Sequence, residues 1–398
     1  MNKKISAAVA SAALVLGAQS ANAGIIIPAG DWTLDVNGNV NVYATFYDYD
    51  DLQSNTVTGG LAGVADASGE DRGQSINTGL LPAWLGFTGT TRQNDLDVSF
   101  TISMQPNVSD NAANSGDTSS PLWRQAFLTF GDKSWGTVKM GKDLGIFAGQ
   151  AILNDMTLLG VGSASGNGVG SGTSGANTSL GGIGTGYIYP AWKGQITYTS
   201  PNFNGFTATV GLTNPNNGVS STLNQDRFGL EAQLQYEFAA GKVWMSGASY
   251  KAKTAAAVEY DAEAIDLGAA LNFGNVGLVA YYYNGDGAGT TVFHGSGATA
   301  SGATRDSDGG YVQATYVIPS GTKLGVSYGI SKLELATGET VAADGSLLDE
   351  NKRWTVGAYH PLTKHLNLVA EYNNNQAESH DGTENETNSL SLGAILFF

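Results

Sequence analysis

The chain has 398 residues, including 55 glycines, 9 prolines and no cysteine, and its formal net charge is −16. A surface this acidic is a poor partner for nucleic acid, and the lack of cysteine excludes disulfides and thiolate metal sites. The length allows two ordinary domains, although a large β-barrel of this length is a single domain.

The first 23 residues have the three parts of a secretory signal peptide. A basic start at residues 1–4 is followed by an apolar run at 5–17 and an A-x-A cleavage site at 21–23. That run is too short to span a bilayer, and no run of about eighteen apolar residues occurs elsewhere, which excludes a helical membrane protein. The mature chain is predicted to be one domain, residues 24–398, with 17 basic and 35 acidic residues and a net charge near −18.

Apolar and polar residues alternate along the chain from residue 31 to the end. Segments 34–46, 96–104 and 228–238 show this pattern most clearly, and no helix can place it on one face, whereas a strand does. With the shorter segments included, the sequence predicts sixteen strands, near 31–47, 80–90, 96–105, 123–131, 136–142, 194–200, 205–213, 228–238, 242–252, 265–273, 276–283, 311–318, 324–330, 354–359, 366–372 and 389–398.

The predicted connections alternate between short and long. Seven are short, at 91–94, 131–135, 201–204, 239–241, 274–275, 319–321 and 361–364. Eight are long, at roughly 50–79, 107–122, 143–193, 214–226, 253–261, 284–308, 332–351 and 375–387. This segregation predicts an all-β, antiparallel up-and-down transmembrane barrel with short periplasmic turns, long external loops and both termini in the periplasm. A soluble sandwich or a propeller has no reason to show it.

The final strand alternates up to an aromatic at the chain terminus. Its predicted lipid-facing residues are Leu390, Leu392, Ala394, Leu396 and Phe398, with Phe398 at the headgroup boundary as the C-terminal aromatic of barrel assembly. The polar half of each strand must then face water, and sixteen strands enclose a lumen wide enough to hold it. The sequence therefore predicts a water-filled channel in an outer membrane.

The connection at 143–193 is far longer than closing a hairpin requires. We expect it to fold into the lumen and narrow it; the alternative is a long external flap. The other long connections are polar and acidic, and their carboxylates either bridge divalent cations to lipopolysaccharide or form a solvated acidic face.

Several passages resemble the general porins of Gram-negative outer membranes, which are trimeric, sixteen-stranded diffusion channels. The similar passages are residues 83–89, 124–130, 135–145, 195–206 and 359–368, together with the terminal phenylalanine. The resemblance implies a homotrimer that lets ions and small hydrophilic solutes diffuse passively. It also implies that the third external loop folds inward and sets its carboxylates against basic side chains on the wall.

Carried over residue by residue, the resemblance gives a partial constriction. Lys142 stands where a Gly-Arg pair of the family ends the strand before the inward loop. Strict alternation would point its side chain at lipid, but the motif predicts that it faces the lumen, and we adopt the prediction from the motif. Trp84 stands where a constriction arginine is common, and Asn39 where a lysine is often found. Two of the family's usual basic residues are therefore missing.

Two further lysines lie at inward positions of their strands, Lys139 and Lys193. Each fits either a selectivity element or an ordinary solvated lysine of the lumen. Asp143 and Asp155 are the only carboxylates between Lys142 and Lys193, and we expect Asp155 to be the acidic partner on the loop.

The inward positions also carry six carboxylates. Together with the negative net charge, they predict a pore that weakly prefers cations: Asp35, Asp97, Glu231, Glu237, Asp266 and Glu371.

Three alternatives stay open. A channel specific for a sugar or an aromatic or organic acid would use Trp84, Tyr43 and Tyr47 as an aromatic path, although the tyrosines also fit an outer aromatic girdle. A surface adhesin or phage receptor is compatible with a pore. An enzyme would lack a general base, because none of the four histidines adjoins a serine in a predicted strand: His294, His360, His365 and His380. We also expect no cofactor or metal ion.

Overall fold

The computed structural model describes residues 24–50, 56–65, 68–106, 108, 122–164, 178–214 and 227–398. The predicted signal peptide and residues 165–177 of the predicted inward loop lie outside this part of the chain. The strands are β1 Ile25–Ala29, β2 Trp32–Tyr49, β3 Arg72–Asn77, β4 Trp84–Gln93, β5 Leu96–Gln105, β6 Leu122–Asp132, β7 Gly136–Leu144, β8 Trp192–Thr199, β9 Phe206–Thr213, β10 Gly229–Phe238, β11 Gly241–Lys253, β12 Glu259–Phe273, β13 Val276–Asp286, β14 Asp306–Val317, β15 Lys323–Leu333, β16 Leu348–Pro361, β17 Leu366–Ser379 and β18 Glu384–Phe397. The helices are α1 Gly149–Asn154, a 3₁₀ helix Met156–Leu159 and α2 Val341–Asp344.

The strands form a closed antiparallel barrel. From β4 to β18, each strand pairs with the next strand along the chain, and β18 closes the ring by pairing with β2. Since β3 pairs with residues 43–48 of β2 and β4 with residues 33–39, these two short strands share one position in the wall. The barrel therefore has sixteen positions, and the predicted fold class is confirmed.

Strand β3 lies inside the long loop predicted at 50–79 and was not predicted. The N-terminal strand β1 was not predicted either. It forms a hairpin with β2 in which Ile25 pairs with Val36, and it lies beyond the end of β18, along the same edge of β2. The backbones of Gly38 and Phe398 exchange two hydrogen bonds at this junction, of 2.8 and 3.0 Å. The two ends of the chain thus complete one edge of β2.

All seven predicted short turns occur, but two of the predicted long loops are wrong. The loop predicted at 253–261 is only residues 254–258, between β11 and β12. The loop predicted at 375–387 is only residues 380–383, between β17 and β18. The segment 375–387 is polar and acidic, as is typical of a solvated loop, whereas 253–261 contains three consecutive alanines and shows no alternation. A strand that continues above the lipid needs no apolar face, so polarity there does not separate strand from loop.

The outer surface of the barrel is apolar between aromatic residues at both ends. Met140, for example, lies between Leu128 and Ile196 of the adjacent strands, and all three side chains are exposed. Exposed aromatics follow near the short turns and near the opposite rim: Trp135, Tyr198, Phe203, Phe206 and Phe238 at one end, and Tyr328, Trp354 and Tyr372 at the other. This pattern matches a lipid-facing surface bounded by two interfaces. No helix among the described residues has the length and apolar character needed to cross a membrane.

Candidate functional site

The long connection between β7 and β8, residues 145–191 and hereafter the inward loop, lies against the inner wall. It carries α1 and the 3₁₀ helix. The hydroxyl of Tyr311 on β14 donates to Ala151 O at 2.8 Å, and that of Tyr43 on β2 donates to Leu159 O at 2.8 Å. The loop thus follows the wall from β10 round to β2 rather than crossing the middle of the lumen.

The first attachment of the inward loop is to Glu231 on β10. Its Oε2 accepts hydrogen bonds from the backbone N–H groups of Ile146, at 2.5 Å, and Phe147, at 3.1 Å. Its Oε1 accepts from Lys193 Nζ at 2.6 Å and from the hydroxyl of Tyr250. Because Glu231 is buried, these bonds replace the water that its charge would otherwise require.

Asp266 on β12 makes the second attachment. Its Oδ2 accepts from Ala148 N at 3.0 Å and from Tyr281 OH at 3.1 Å, while its Oδ1 accepts from Ser246 N at 2.8 Å. The carboxylate therefore joins the loop to two neighbouring strands of the wall.

Glu371 on β17 makes the third attachment and is only 1% exposed. Its Oε2 accepts from Val161 N at 2.7 Å and Gly162 N at 2.8 Å, and its Oε1 accepts from Tyr359 OH at 2.6 Å. A side chain at Gly160 would place its Cβ 2.0 Å from Glu371 Oε1. Any larger residue at position 160 would therefore require the Glu371 carboxylate to move away from the loop.

These attachments change the role of the predicted lumen acids. Glu231, Asp266 and Glu371 are bound to backbone N–H groups and hidden from water, so each attracts passing cations less than an exposed carboxylate would.

The other three acids stay nearer to water. Asp97 pairs with Arg92, with 2.8 Å between Oδ1 and Nη1, and Glu237 is exposed and accepts from Gln235 Nε2 at 2.8 Å. Asp35 is partly exposed. Only these three of the six predicted acids are therefore placed to act on ions in the lumen.

Asp155 does not face the lumen, which corrects the expectation that it is the loop's acidic partner in the constriction. Its Oδ1 accepts from Thr157 N at 2.9 Å, and its Oδ2 accepts from Gly182 N at 3.0 Å and Tyr187 OH at 2.9 Å. Arg353 on β16 lies 3.9 Å from the same Oδ2. The carboxylate caps the 3₁₀ helix and ties the two described parts of the inward loop together.

Lys142 also departs from the motif-based prediction. It lies on the outer face of β7 with Met140, and its Nζ donates to the backbone oxygen of exposed Trp123 at 2.7 Å. The inward/outward alternation continues to the end of the strand, so alternation and not the motif gives the correct face.

The two inward lysines named from the sequence have carboxylate partners. Lys139 lies 2.6 Å from Asp143, and Lys193 lies 2.6 Å from Glu231. Asp143 and Lys193 are buried, whereas Lys139 is partly exposed. Only Lys139 of this group therefore presents charge to the lumen, and its field is reduced by its partner.

Asn39 and Trp84 are paired across β2 and β4 on the inner face. Asn39 is fully buried, and its Nδ2 donates to Pro82 O at 2.9 Å; Trp84 Nε1 lies 3.5 Å from Asn37 Oδ1. Asn39 thus holds the chain segment between β3 and β4 in place, and neither side chain supplies charge.

Sequence reasoning missed the residues that form the lumen-facing edge of the inward loop. Gln150 and Asn154 of α1 are partly exposed, and Lys242 Nζ donates to Gln150 Oε1 at 2.8 Å. Gln313 on β14 accepts from Met156 N at 2.6 Å and donates to Asn154 O at 3.2 Å. One signal in the sequence could have identified this edge: alternation places Lys242 on the inner face, two residues after a short turn.

The wall opposite the inward loop is polar and not covered by it. Several of its inward side chains are partly exposed to solvent, namely Thr88, Thr101, Thr129 and Lys139. The loop therefore leaves a water-accessible passage along this side.

A second long loop, residues 287–305 between β13 and β14, packs over the first attachment. His294 is buried with φ +75°, and its ring lies 5.3 Å from that of Tyr250 and 4.9 Å from that of Phe293. Neither ring nitrogen has a hydrogen-bond partner among the described residues. Burial, together with the nearby charge of Lys193, lowers the pKa of His294 to about 4.

A closed barrel with an apolar belt, a polar interior and a loop narrowing the lumen defines an outer-membrane channel protein. The chain belongs to the Gram-negative porin family, whose sequence model matches residues 10–380. A search of curated proteins found no match. The predictions of the family and of an outer-membrane location are thereby confirmed.

Solved structures share the fold at low sequence identity. The anion-selective porin from Comamonas acidovorans matches with TM-score 0.63 and 16% identity over 92% of this chain and 100% of its own. The channel DcaP of Acinetobacter baumannii gives TM-score 0.68 and 17% identity over 94% and 100%, and Salmonella typhi OmpF gives 0.61 and 17% over the same shares. At these identities the likeness shows the fold alone.

Proposed function

We propose that the protein forms a water-filled channel for passive diffusion of ions and small hydrophilic solutes across the outer membrane. The observation that carries this proposal is the asymmetry of the lumen. The inward loop is held against one side by Glu231, Asp266 and Glu371, while polar side chains such as Thr101 and Thr129 on the other side remain partly exposed. An uncovered polar wall is what a hydrated path requires.

Within this channel, the inward loop is the constriction. Lys139 on the wall, with its buried partner Asp143 behind it, and Gln150 on the loop are the polar side chains next to the path in our proposal. No catalytic step is part of it. The predicted homotrimer rests on the family resemblance, and the predicted contact with lipopolysaccharide rests on the acidic side chains of the long connections.

A weak cation preference is the finer part of the proposal. Its support is narrower than the sequence suggested, because three of six inward carboxylates are bound to the loop. Partly exposed Asp35, exposed Glu237 and the acidic net charge of −16 remain in its favour.

Of the aromatic path predicted for a substrate-specific channel, only Trp84 is partly exposed on the inner face. Tyr43 is 1% exposed and bonded to the loop, and Tyr47 is buried with its hydroxyl 2.6 Å from Ser75 Oγ. Neither ring offers a face on which a sugar could stack.

Planar-bilayer recording of the refolded protein tests the proposed function. We expect conductance in steps of three without any added substrate, and a reversal potential in a KCl gradient that mildly favours K⁺. A membrane that stays closed until one particular solute is added would refute the general-diffusion channel and support a specific one.

A further inference from the structure

The carboxyl group of Asp35 on β2 has one oxygen without a partner. Its Oδ1 is shielded from solvent and accepts no hydrogen bond from the described residues. Asn37, the next residue along the inner face, interacts with the carboxyl but is neutral. In the described part of the chain, no side-chain nitrogen of a lysine, arginine or histidine lies within 4.0 Å of this carboxyl. A shielded carboxylate oxygen is costly unless a donor, and preferably a cation, reaches it.

Gly24, the residue before β1, lies directly against the same carboxyl group. A Cβ on Gly24 would be 2.0 Å from Asp35 Oδ1, 2.8 Å from its Cγ and 3.0 Å from its Oδ2. The backbone nitrogen of a residue is about 2.5 Å from its Cβ position, so Gly24 N is within about 4.5 Å of Oδ1. The register agrees, because Ile26 is paired with Asp35 and Gly24 follows on the same face.

Gly24 is also the first residue of the mature chain predicted from the sequence, since the A-x-A cleavage site ends at Ala23. Hydrolysis of the peptide bond between Ala23 and Gly24 consumes one water molecule. It leaves a carboxylate on Ala23 and an amine on Gly24, and such an amine is mostly protonated near neutral pH. Cleavage therefore converts a neutral amide nitrogen with one N–H into a cation with three, beside the carboxyl of Asp35.

Strand β1 has little else to hold its first residues. It is paired with β2 from Ile25, opposite Val36, to Ala29, opposite Trp32. The isoleucines at 25, 26 and 27 are 56%, 58% and 44% exposed, so their packing contributes little to stability. The first residues of a chain stay poorly ordered unless they are tied down. An ion pair at Gly24 would supply this attachment.

We propose that removal of the predicted signal peptide creates an ammonium group on Gly24 that pairs with Asp35 and fastens the start of β1 to β2. The inference goes beyond the channel function and rests on the predicted cleavage after residue 23. The uncleaved chain has no charge at this nitrogen, so the hairpin of β1 and β2 reaches its final stability only after processing. The pair also offsets the charge of Asp35, so the proposed cation preference then depends more on exposed Glu237.

The first measurement is mass spectrometry of protein purified from the outer membrane. We expect Gly24 as the N-terminal residue, and any other residue would overturn the proposal. The reactivity of the amine then reports the ion pair, because only the neutral amine reacts with acetic anhydride and a nearby carboxylate favours the charged form. We expect the amine of the folded wild type to react about tenfold more slowly near neutral pH than that of Asp35→Asn.

The control variant is Asp31→Asn, which removes an exposed carboxylate from the turn of the same hairpin and should keep the wild-type rate. Equal rates in the wild type and Asp35→Asn would mean that the amine pairs elsewhere, for instance with the terminal carboxylate of Phe398 beside Gly38, and would overturn the proposal. If Asp35→Asn does not assemble, the wild type is compared before and after unfolding in urea, and equal rates there would contradict the ion pair as well.

Hydrogen exchange of residues 25–29 tests whether the ion pair fastens the strand. Asp35→Asn should lose protection in β1 several-fold, and so should the wild type after its Gly24 amine has been selectively blocked. Blocking the amine of Asp35→Asn should add nothing, because both changes remove the same interaction. Additive losses would show two independent contacts and would overturn the pairing of Gly24 with Asp35.

Discussion

The two sides of the lumen carry the same sequence pattern but differ in their surroundings. On the covered side, from β10 round to β2, inward polar residues such as Asp266 and Glu371 are buried beneath the inward loop and bonded to it. On the open side, formed by β4 to β9, Thr101 and Thr129 occupy equivalent inward positions and remain partly exposed.

The difference shows that alternation identifies the face of a side chain but not whether that face is wet. A polar residue at an inward position is solvated on one side and serves as a buried structural group on the other. The same substitution should therefore cost much more on the covered side.

The largest expected effect comes from placing a charge on each side. Ser327 is buried on the inner face and is paired across the sheet with Gln313, which is bonded to the inward loop. The variant Ser327→Lys would bury an unpaired charge there and lower the free energy of unfolding by several kcal/mol. In Thr101→Lys, the new lysine lies on the open wall and the barrel assembles as in the wild type. Electrophoresis of unheated samples measures the folded fraction, and equal folding of both variants would refute the distinction.

Loss of one attachment should release part of the inward loop. In Glu371→Ala, the N–H groups of Val161 and Gly162 lose their acceptor, at a cost on the order of 3 kcal/mol. We expect the single-channel current to fluctuate between levels that the wild type lacks. The matched control is Glu384→Ala, which removes an exposed carboxylate on β18. Equally quiet currents in all three proteins would show that Glu371 does not hold the loop.

Acid should loosen the loop at 287–305. The folded-state pKa of His294 is about 4, below the ordinary value of 6.5, so its contribution to stability is complete above pH 6.5 and is lost as the pH falls towards 4. The loss reaches about 3 kcal/mol at the acidic end. The protection factors of amide hydrogen exchange in this loop, which correct for the intrinsic slowing of exchange in acid, should fall over that pH range. The variant His294→Phe keeps the aromatic packing and should remove the pH dependence; an unchanged pH profile in it would exclude His294 as the cause.

The barrel was largely predictable because alternation is a property of each strand by itself. All sixteen strand positions and all seven short turns follow from it, and the outward position of Lys142 does too. Strand β1 was missed because its three consecutive isoleucines are all exposed and show no alternation.

The interior was less predictable because it depends on contacts between distant parts of the chain. The charge of buried Asp155 is compensated by Arg353, which lies almost two hundred positions later in the sequence and comes within 3.9 Å of it. Glu231 is bonded to the loop because the backbone N–H groups of Ile146 and Phe147 lie next to its carboxylate. No local pattern marks either contact, so carboxylates that bind the loop and carboxylates that face water look alike in the sequence.

The smallest expected effect on stability comes from replacing Arg92, which lies near the short-turn end of the open side. It is best measured together with the replacement of Arg353, a buried arginine of the covered side. Arg92 is paired with Asp97 and Asp132, but its side chain is 48% exposed, so Arg92→Gln should lower the free energy of unfolding by less than about 1 kcal/mol. The side chain of Arg353 is 1% exposed, and Arg353→Gln leaves Asp155 buried without its cation, at a cost of roughly 3 to 5 kcal/mol. Urea unfolding followed by tryptophan fluorescence measures both losses. Similar values for the two variants would mean that the covered side is as accessible to water as the open one, which would remove the asymmetry on which the channel proposal depends.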